Sequence, residues 1–570
     1  MRVRAGSLDE LRAGGRLVAK AASQPVCVFW DGQAARAVDD RCPHMGFPLH
    51  RGTVEEGLLT CHWHHARFDL TTGGTLDPFA DDVRAFAVEI DGGDVYVVVE
   101  PPTGQADHLR RRLADGLEQG LTLVVAKAVM GLLDSGVPPH DIVRVSVDFG
   151  VANRAQGWGS GLTVLTAMVN LLAHLDPDDR PLALVHGLAF VARDTRNRPP
   201  RFPLTPLGTG DIAGDRLRSW YRRFIETRSG DAAERALVTA IDKGCDADTV
   251  AEMMFAAATD HVFLDGGHTV DFTNKAFELL GHLGWDSAGA VLPTLVDQTA
   301  GASRAEEGGR WRHPYDLASL VRSADDRLAH MDLDGPGLLE PDGVSRLGRS
   351  LLDAEPGQIV DCLLDALAAA ATPEQAGRAL ALAAGLRITR FHTQNDFGDW
   401  DVVHHGFTAA NAVHQALLRA PTATVLRGVV HGALRVYLDR FLNVPAARLP
   451  HLDGAPDLAD LQACWDEQGG VDRAGAIAYA WVRDGQDQGR LVAALGHALL
   501  AEDAQFHWFQ TVEAAVRQAG AWPEGSEEAA LLLAGAARFL AAHTPTRREL
   551  PHVVRIAARL RRGEELFAES

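Results

Sequence analysis

Cysteine is scarce: six in 570 residues, at positions 27, 42, 61, 245, 362 and 464. That is too few, too unevenly spaced, for a disulfide scaffold, so cysteine here means chemistry or core. No run approaches the roughly 18 uninterrupted apolar residues of a membrane span, and the start, MRVRAGSLDELRAGG, has no signal-peptide core. These absences predict a cytoplasmic chain with no membrane partner. Positive charge is in deficit as well, 55 Lys and Arg against 76 Asp and Glu, for a net charge of −21. Such a surface repels phosphate backbones and excludes nucleic acid as a main partner. The remaining composition, 46% hydrophobic and 23% charged, is that of a globular protein, and the length implies several domains of roughly 100–200 residues each.

The chain changes character near residue 105. Before it, short strand-like runs stand at 26–30, 34–38, 58–63, 66–70, 83–90 and 95–100. They are punctuated by Asp31-Gly32, Gly73-Gly74 and Asp91-Gly92-Gly93-Asp94, the turn chemistry of a small antiparallel β domain. PPTGQAD (101–107) reads as a linker. Beyond it Ala, Leu and Arg recur at helical spacing, broken by Pro and Gly. The fold class expected is an antiparallel β domain followed by a mostly α-helical part.

Two motifs in the β domain carry chemistry. RCPHMGFPLHRG (41–52) contains Cys42-x-His44 and TCHWHHARFD (60–69) contains Cys61-x-x-His64, with 16 residues between the pairs. Each pair falls in a tight loop between strands, so two hairpin tips can pinch one centre from opposite sides. Two thiolates and two imidazoles suit a [2Fe-2S] cluster with Cys on one iron and His on the other. A Cys2His2 zinc site is the alternative for the same residue types, but it favours longer His spacing and usually a helix.

The spacings, the Pro and Gly of CPHMG and the surrounding strands make residues 1–105 resemble Rieske domains. The resemblance implies that Cys42, His44, Cys61 and His64 ligate a [2Fe-2S] cluster loaded by a reductase or ferredoxin. Met45 and Trp63 stand where respiratory Rieske proteins place an extra bridging Cys pair, and Ala66 and Phe68 stand where they place Ser and Tyr donors to the cluster sulfurs. Fewer donors imply a low potential. His65 replaces the Gly usual in these domains, as a partner contact or simply an exposed residue.

The helical part repeats itself. Shifted by 245 residues, 161–200 lies on 406–445 without a gap, matching Val185-His186-Gly187 to Val430-His431-Gly432, Val191 to Val436, Asp194 to Asp439 and Pro200 to Pro445. A looser match pairs Asp260 with Asp503, Phe263 with Phe506 and His268 with His507, and sets Gly150 and Arg154 near Gly385 and Arg390. The organisation expected is a β domain at 1–105, a linker end at 106–111, and two divergent helical repeats at 112–345 and 346–570, packed about a pseudo-two-fold axis.

Only five of the 24 histidines lie in the first 105 residues. In the helical part the repeat singles out His186 with His431 and His268 with His507 as candidate catalytic residues. His404 and His405 join them without counterparts, since the first copy has Gly159 and Ser160 there. With Asp260 and Asp503, the paired histidines form a candidate second metal site for non-haem iron or another metal; alternatively each histidine ties a helix structurally. The Rieske oxygenase pattern Asp-x2-His-x4-His begins at Asp401 and His404 but meets Ala409, so that architecture ends with the first domain.

LVHGLAFVARD, HTVDFTNKAFELLGHLG and DVVHHGFTAANAVHQAL resemble the His-containing helices of questin oxidase-like proteins. The resemblance implies Baeyer-Villiger-type oxygen insertion beside a carbonyl in an apolar, His-lined pocket. The function expected is an oxidoreductase whose low-potential cluster passes electrons to a His-rich helical site that oxygenates or reduces a small organic substrate. The alternative is a non-catalytic electron-transfer or redox-sensing protein whose helices dock a partner.

Overall fold

In the computed structural model, residues 1–21, 24–100, 104–208, 210, 212–333, 338–369, 371–564 and 566 are described. Nine strands build the N-terminal domain: β1 (Arg2–Ser7), β2 (Arg16–Ala21), β3 (Gln24–Trp30), β4 (Ala35–Asp39), β5 (Thr53–Glu55), β6 (Leu58–Thr60), β7 (Arg67–Asp69), β8 (Ala85–Asp91) and β9 (Asp94–Val98). They form an antiparallel sheet in the order β1-β9-β8-β4-β3-β2 and a smaller one, β5-β6-β7. Because side chains alternate along a strand, β3 feeds two cores. Cys27 and Phe29 join Val38, Cys42, Cys61 and Phe68 on one side, while Val26 and Val28 join Leu11, Ala37, Val95 and Val97 on the other. Burial on both faces explains the continuous apolar run of this strand.

The β8–β9 hairpin turns at Gly92 (φ 61°) and Gly93 (φ 87°), the positive pair that a two-residue turn needs. β1, β2 and β5 are additional to the strands expected from sequence. β1 alternates with charge rather than apolar side chains: Arg2 pairs with Glu89 and Asp91, and Arg4 with Asp94. An edge held by cross-strand ion pairs leaves little hydrophobic signal. A helix at Leu8–Gly14 follows, opened by a Ser7/Glu10 capping box and closed by left-handed Gly15.

Residues 101–103 of the expected linker lie outside the described residues, and 106–111 sit inside a helix, Gln105–Gln119. Contacts divide the chain into Met1–Ser146 together with the chain from Leu550 onward, and Val147–Glu549. Helices Gln105–Gln119, Thr122–Asp134 and most of Glu549–Arg561 therefore belong with the β domain. Arg112, Leu113 and Leu117 are buried, which a solvated linker would not provide.

The second unit is helical. Segment 161–200 runs through helices Ser160–Leu171 and Arg180–Thr195, and 406–445 runs through the end of Phe397–Arg419 and all of Ala423–Asp439. The two segments share a helix-turn-helix order. Among the described residues no helix is long and apolar enough to cross a membrane.

Candidate functional site

The two Cys/His loops are built alike. Cys42 N–H donates to Phe47 O and Gly46 N–H to Cys42 O, both at 2.8 Å; Cys61 N–H donates to Ala66 O at 2.9 Å and His65 N–H to Cys61 O at 3.0 Å. The fifth residue of each loop is left-handed: Gly46 (φ 81°) in one, His65 (φ 60°) in the other. His65, exposed at the loop tip, thus occupies a glycine conformation. His65→Gly is expected to stabilise the β unit by about 0.5–1 kcal/mol once glycine's extra chain entropy is set against the left-handed strain. The readout is a higher urea midpoint; an unchanged or lower one refutes the strain.

These turns aim backbone amides at sulfur. His44 and Met45 N–H donate to Cys42 Sγ, and Trp63 and His64 N–H to Cys61 Sγ. The Cys42 thiol also donates to Cys61, holding Cys61 down at about 6. The His44 and His64 ring centroids are 4.8 Å apart, and His44 Nδ1 is buried with no hydrogen-bond partner among the described residues. Two adjoining sulfurs carrying N–H donors, beside two imidazoles of which His44 has a free buried nitrogen, fit a Cys2His2-ligated [2Fe-2S] cluster. Ala66 and Phe68 are fully buried and offer no hydroxyl donors, as the sequence implied.

In the helical unit three of the candidate histidines meet. His268 opens helix His268–Leu283, His507 lies in the first turn of Phe506–Ala519, and His405 lies in Phe397–Arg419. One nitrogen from each lies within 4.8 Å of the other two, and His405 Nε2 to His507 Nε2 is 2.8 Å. At that distance one ring donates to the other, and a metal ion would replace the shared proton. Burial, then the His268 ring and Arg435, pull His405 to about 3; burial, then the His405 and His268 rings, pull His507 to about 2; burial also lowers His268. All three are neutral near pH 7, the state metal binding requires. Phe272 and Phe506 wall the group, 5.2 and 6.0 Å from the His268 ring.

The other candidates stand apart. His186 hydrogen-bonds Leu500 O at 3.0 Å and packs on Phe509. His431 lines an apolar cavity of about 20 Å³ with Phe263, Ala409 and Val413, room for one water at most. His404, adjacent to His405, faces another way: its Nδ1 is 3.0 Å from Thr511 Oγ1, and its ring meets Phe539 at 4.1 Å. Asp260 is taken by Arg222 and Arg427, and Asp503 accepts from Glu549 N–H at 2.8 Å. The internal sequence match thus picked out histidines that hold the fold and histidines that cluster alike.

A buried charged group adjoining the histidines was missed from sequence. Asp271, one turn past His268, is held by Gln510, one turn past His507, and burial pushes its carboxyl up to about 7. Further along, Lys275 lies between Glu278 (2.8 Å) and Glu513, with Asn170 donating to both glutamates. On a helix, Asp271, Lys275 and Glu278 read as a solvent stripe; only the packed partners reveal burial.

Residues 1–87 match the family model described as "Rieske [2Fe-2S] domain". Apoptosis-inducing factor 3 of Homo sapiens is 37% identical over 88 residues, 15% of this chain and 14% of that protein. The chain thus spans about one seventh of that relative. The anthranilate 1,2-dioxygenase ferredoxin subunit of Burkholderia cepacia is 32% identical over 95 residues, 16% of this chain and 88% of that protein. Among solved structures, the ferredoxin of carbazole 1,9a-dioxygenase from Nocardioides aromaticivorans IC177 aligns at 29% identity with a TM-score of 0.17, covering 18% of this chain and 99% of that one. Through its N-terminal β domain, matched along most of a ferredoxin subunit, the chain belongs to the Rieske [2Fe-2S] family, whose domain binds a [2Fe-2S] cluster and transfers electrons.

Proposed function

We propose that this chain is an oxidoreductase with a built-in electron relay. Cys42 and Cys61 hold one iron of the N-terminal cluster, His44 and His64 the other, and a second metal, non-haem iron, is held by His268, His405 and His507. When bound, the cluster supplies single electrons and the second metal a site for activating oxygen or polarising a substrate. The observation that carries this reading is the convergence of three neutral imidazoles from three separate helices. His404 and Thr511 brace the His405 helix, Phe272 and Phe506 offer an apolar wall, and Asp271 holds a proton exchangeable near neutrality. These features suit an apolar organic substrate bearing a carbonyl, oxygenated or reduced with electrons drawn from a reductase or ferredoxin.

Iron analysis tests it. The purified protein is expected to hold clearly more than the roughly two irons of the cluster. His405→Ala and His507→Ala should return iron to about that level and stop reductant-driven oxygen uptake, with the cluster's EPR signal intact. His186→Ala should cost stability alone. The ferredoxin character of the matched relatives favours one other reading, an electron carrier or redox sensor whose helices dock a partner; iron fixed near two per chain selects it.

The helical part is read as two divergent copies, 112–345 and 346–570. Equivalent pairs support this: the added Cβ of Gly161 would meet Asp194, and that of Gly406 would meet Asp439; Gly150 abuts Leu162, and Gly385 abuts Phe407, which lies at the equivalent position.

A further inference from the structure

Helix Thr122–Asp134 lies beyond the matched residues 1–87, yet it brings a cation to the back of the first ligand loop. The Lys127 ammonium donates to His44 O at 2.9 Å and to Pro43 O, and it pairs with Asp81 at 3.4 Å. An ammonium has three donors, and three acceptors face it. Its side chain is 14% exposed, so mobile ions screen it weakly.

The preceding helix, Gln105–Gln119, adds Arg112 to the same place. Its guanidinium binds Asp81 at 3.0 Å and donates to Pro78 O and Ala80 O at 2.9 Å each. The segment so held carries Phe79, whose ring meets His44 edge-on at 5.0 Å. Two helices beyond the matched residues 1–87 therefore clamp both chain segments bordering His44. They leave one carboxylate, Asp81, shared between two cations, with Asp115 as a second, half-exposed partner of Arg112.

We propose that Lys127 is a positioning residue that sets the potential of the [2Fe-2S] cluster, a fixed buried cation that favours the reduced state and fastens the His44 loop. Reduction adds one electron from an external one-electron donor, which is oxidised in turn, and makes or breaks no bond. The added negative charge is stabilised by a cation held in a poorly screened site. Where Ala66 and Phe68 supply no hydroxyl donors, this charge partly compensates. The inference rests on the ligand assignment above and needs nothing from the helical site.

The test is an EPR-monitored redox titration of the full chain. Lys127→Gln is expected to shift the oxidised-to-reduced ratio at fixed donor potential about ten-fold toward oxidised, equal to 59 mV for a one-electron couple. Lys127→Arg should stay near the parent, and Asp81→Asn should move the opposite way. A Gln variant with the parent's signal and midpoint overturns the proposal, as do Gln and Arg variants that shift alike, which would mean packing and not charge. Should Lys127→Gln fail to load iron, Asp81→Asn decides: a raised midpoint supports the proposal and an unchanged one overturns it. Absence of any Rieske signal in the parent would instead sink the ligand assignment.

Discussion

Cys42→Ser and His44→Ala should each abolish the low average g-value EPR signal of the reduced protein, together with its reddish-brown colour. Each change removes one of the four proposed ligands, and neither loop holds a spare thiol or a second imidazole in the same register. His65 does not substitute, since its left-handed backbone turns at the position matching Gly46. The β fold should survive, because the hydrogen bonds closing each loop run between main-chain groups and the core of Leu11, Val26, Val28, Ala37, Val95 and Val97 contains none of the four residues. Far-UV circular dichroism close to the parent beside a lost signal is the expected pair of results. Zinc in place of iron in the parent would refute the assignment.

Lys275→Met should destabilise the helical unit by about 3–5 kcal/mol, the usual cost of stripping one partner from a buried charge group. Lys275, Glu278 and Glu513 side chains are 1%, 3% and 2% exposed. Burial alone would raise the Glu278 carboxyl, but Lys275 and Arg517 hold it at about 2. Without Lys275 the two carboxylates fall back on Arg517, which pairs with both and is itself 32% exposed. One glutamate must then take a proton or stay buried unpaired. The combined Lys275→Met, Glu278→Gln, Glu513→Gln variant should recover much of the loss, since no buried carboxylate is left unpaired and Arg517, 32% exposed, still reaches water. Urea unfolding followed by tryptophan fluorescence measures both; a single variant as stable as the parent would show that the group carries no such interdependence.

How far the sequence disclosed these sites follows from how each is built. Cys42, His44, Cys61 and His64 sit in two short loops whose ligand spacing is dictated locally, so they stand out in a linear reading. His268, His405 and His507 come from three helices separated by more than a hundred residues, and no spacing rule joins them. The internal sequence match supplied an indirect signal, pairing His268 with His507, but it promoted His186 and His431 equally. Those two sit beside glycines that let helices approach: Gly187 abuts Leu165 and Gly432 abuts Leu380. Lys275 and its glutamates were hidden because helical periodicity assigns charge to solvent, and β1 because its stabilisation is ionic. Helix Gln105–Gln119 was hidden for a related reason, since an Arg-rich amphipathic helix looks detachable until its buried face is seen.

Helix Glu549–Arg561 touches the first ligand loop directly: Leu560 lies against Gly46, where an added Cβ would come within 3.2 Å of it, and Arg41 bonds the carbonyl of Gly563. A protein is made from its N-terminus, at about 5–20 residues per second. The cysteines at 42 and 61 thus leave the ribosome long before the residues that back their loop. The wall this helix gives the first loop is thus among the last parts of the site's surroundings to be made, some five hundred codons after the cysteines it backs.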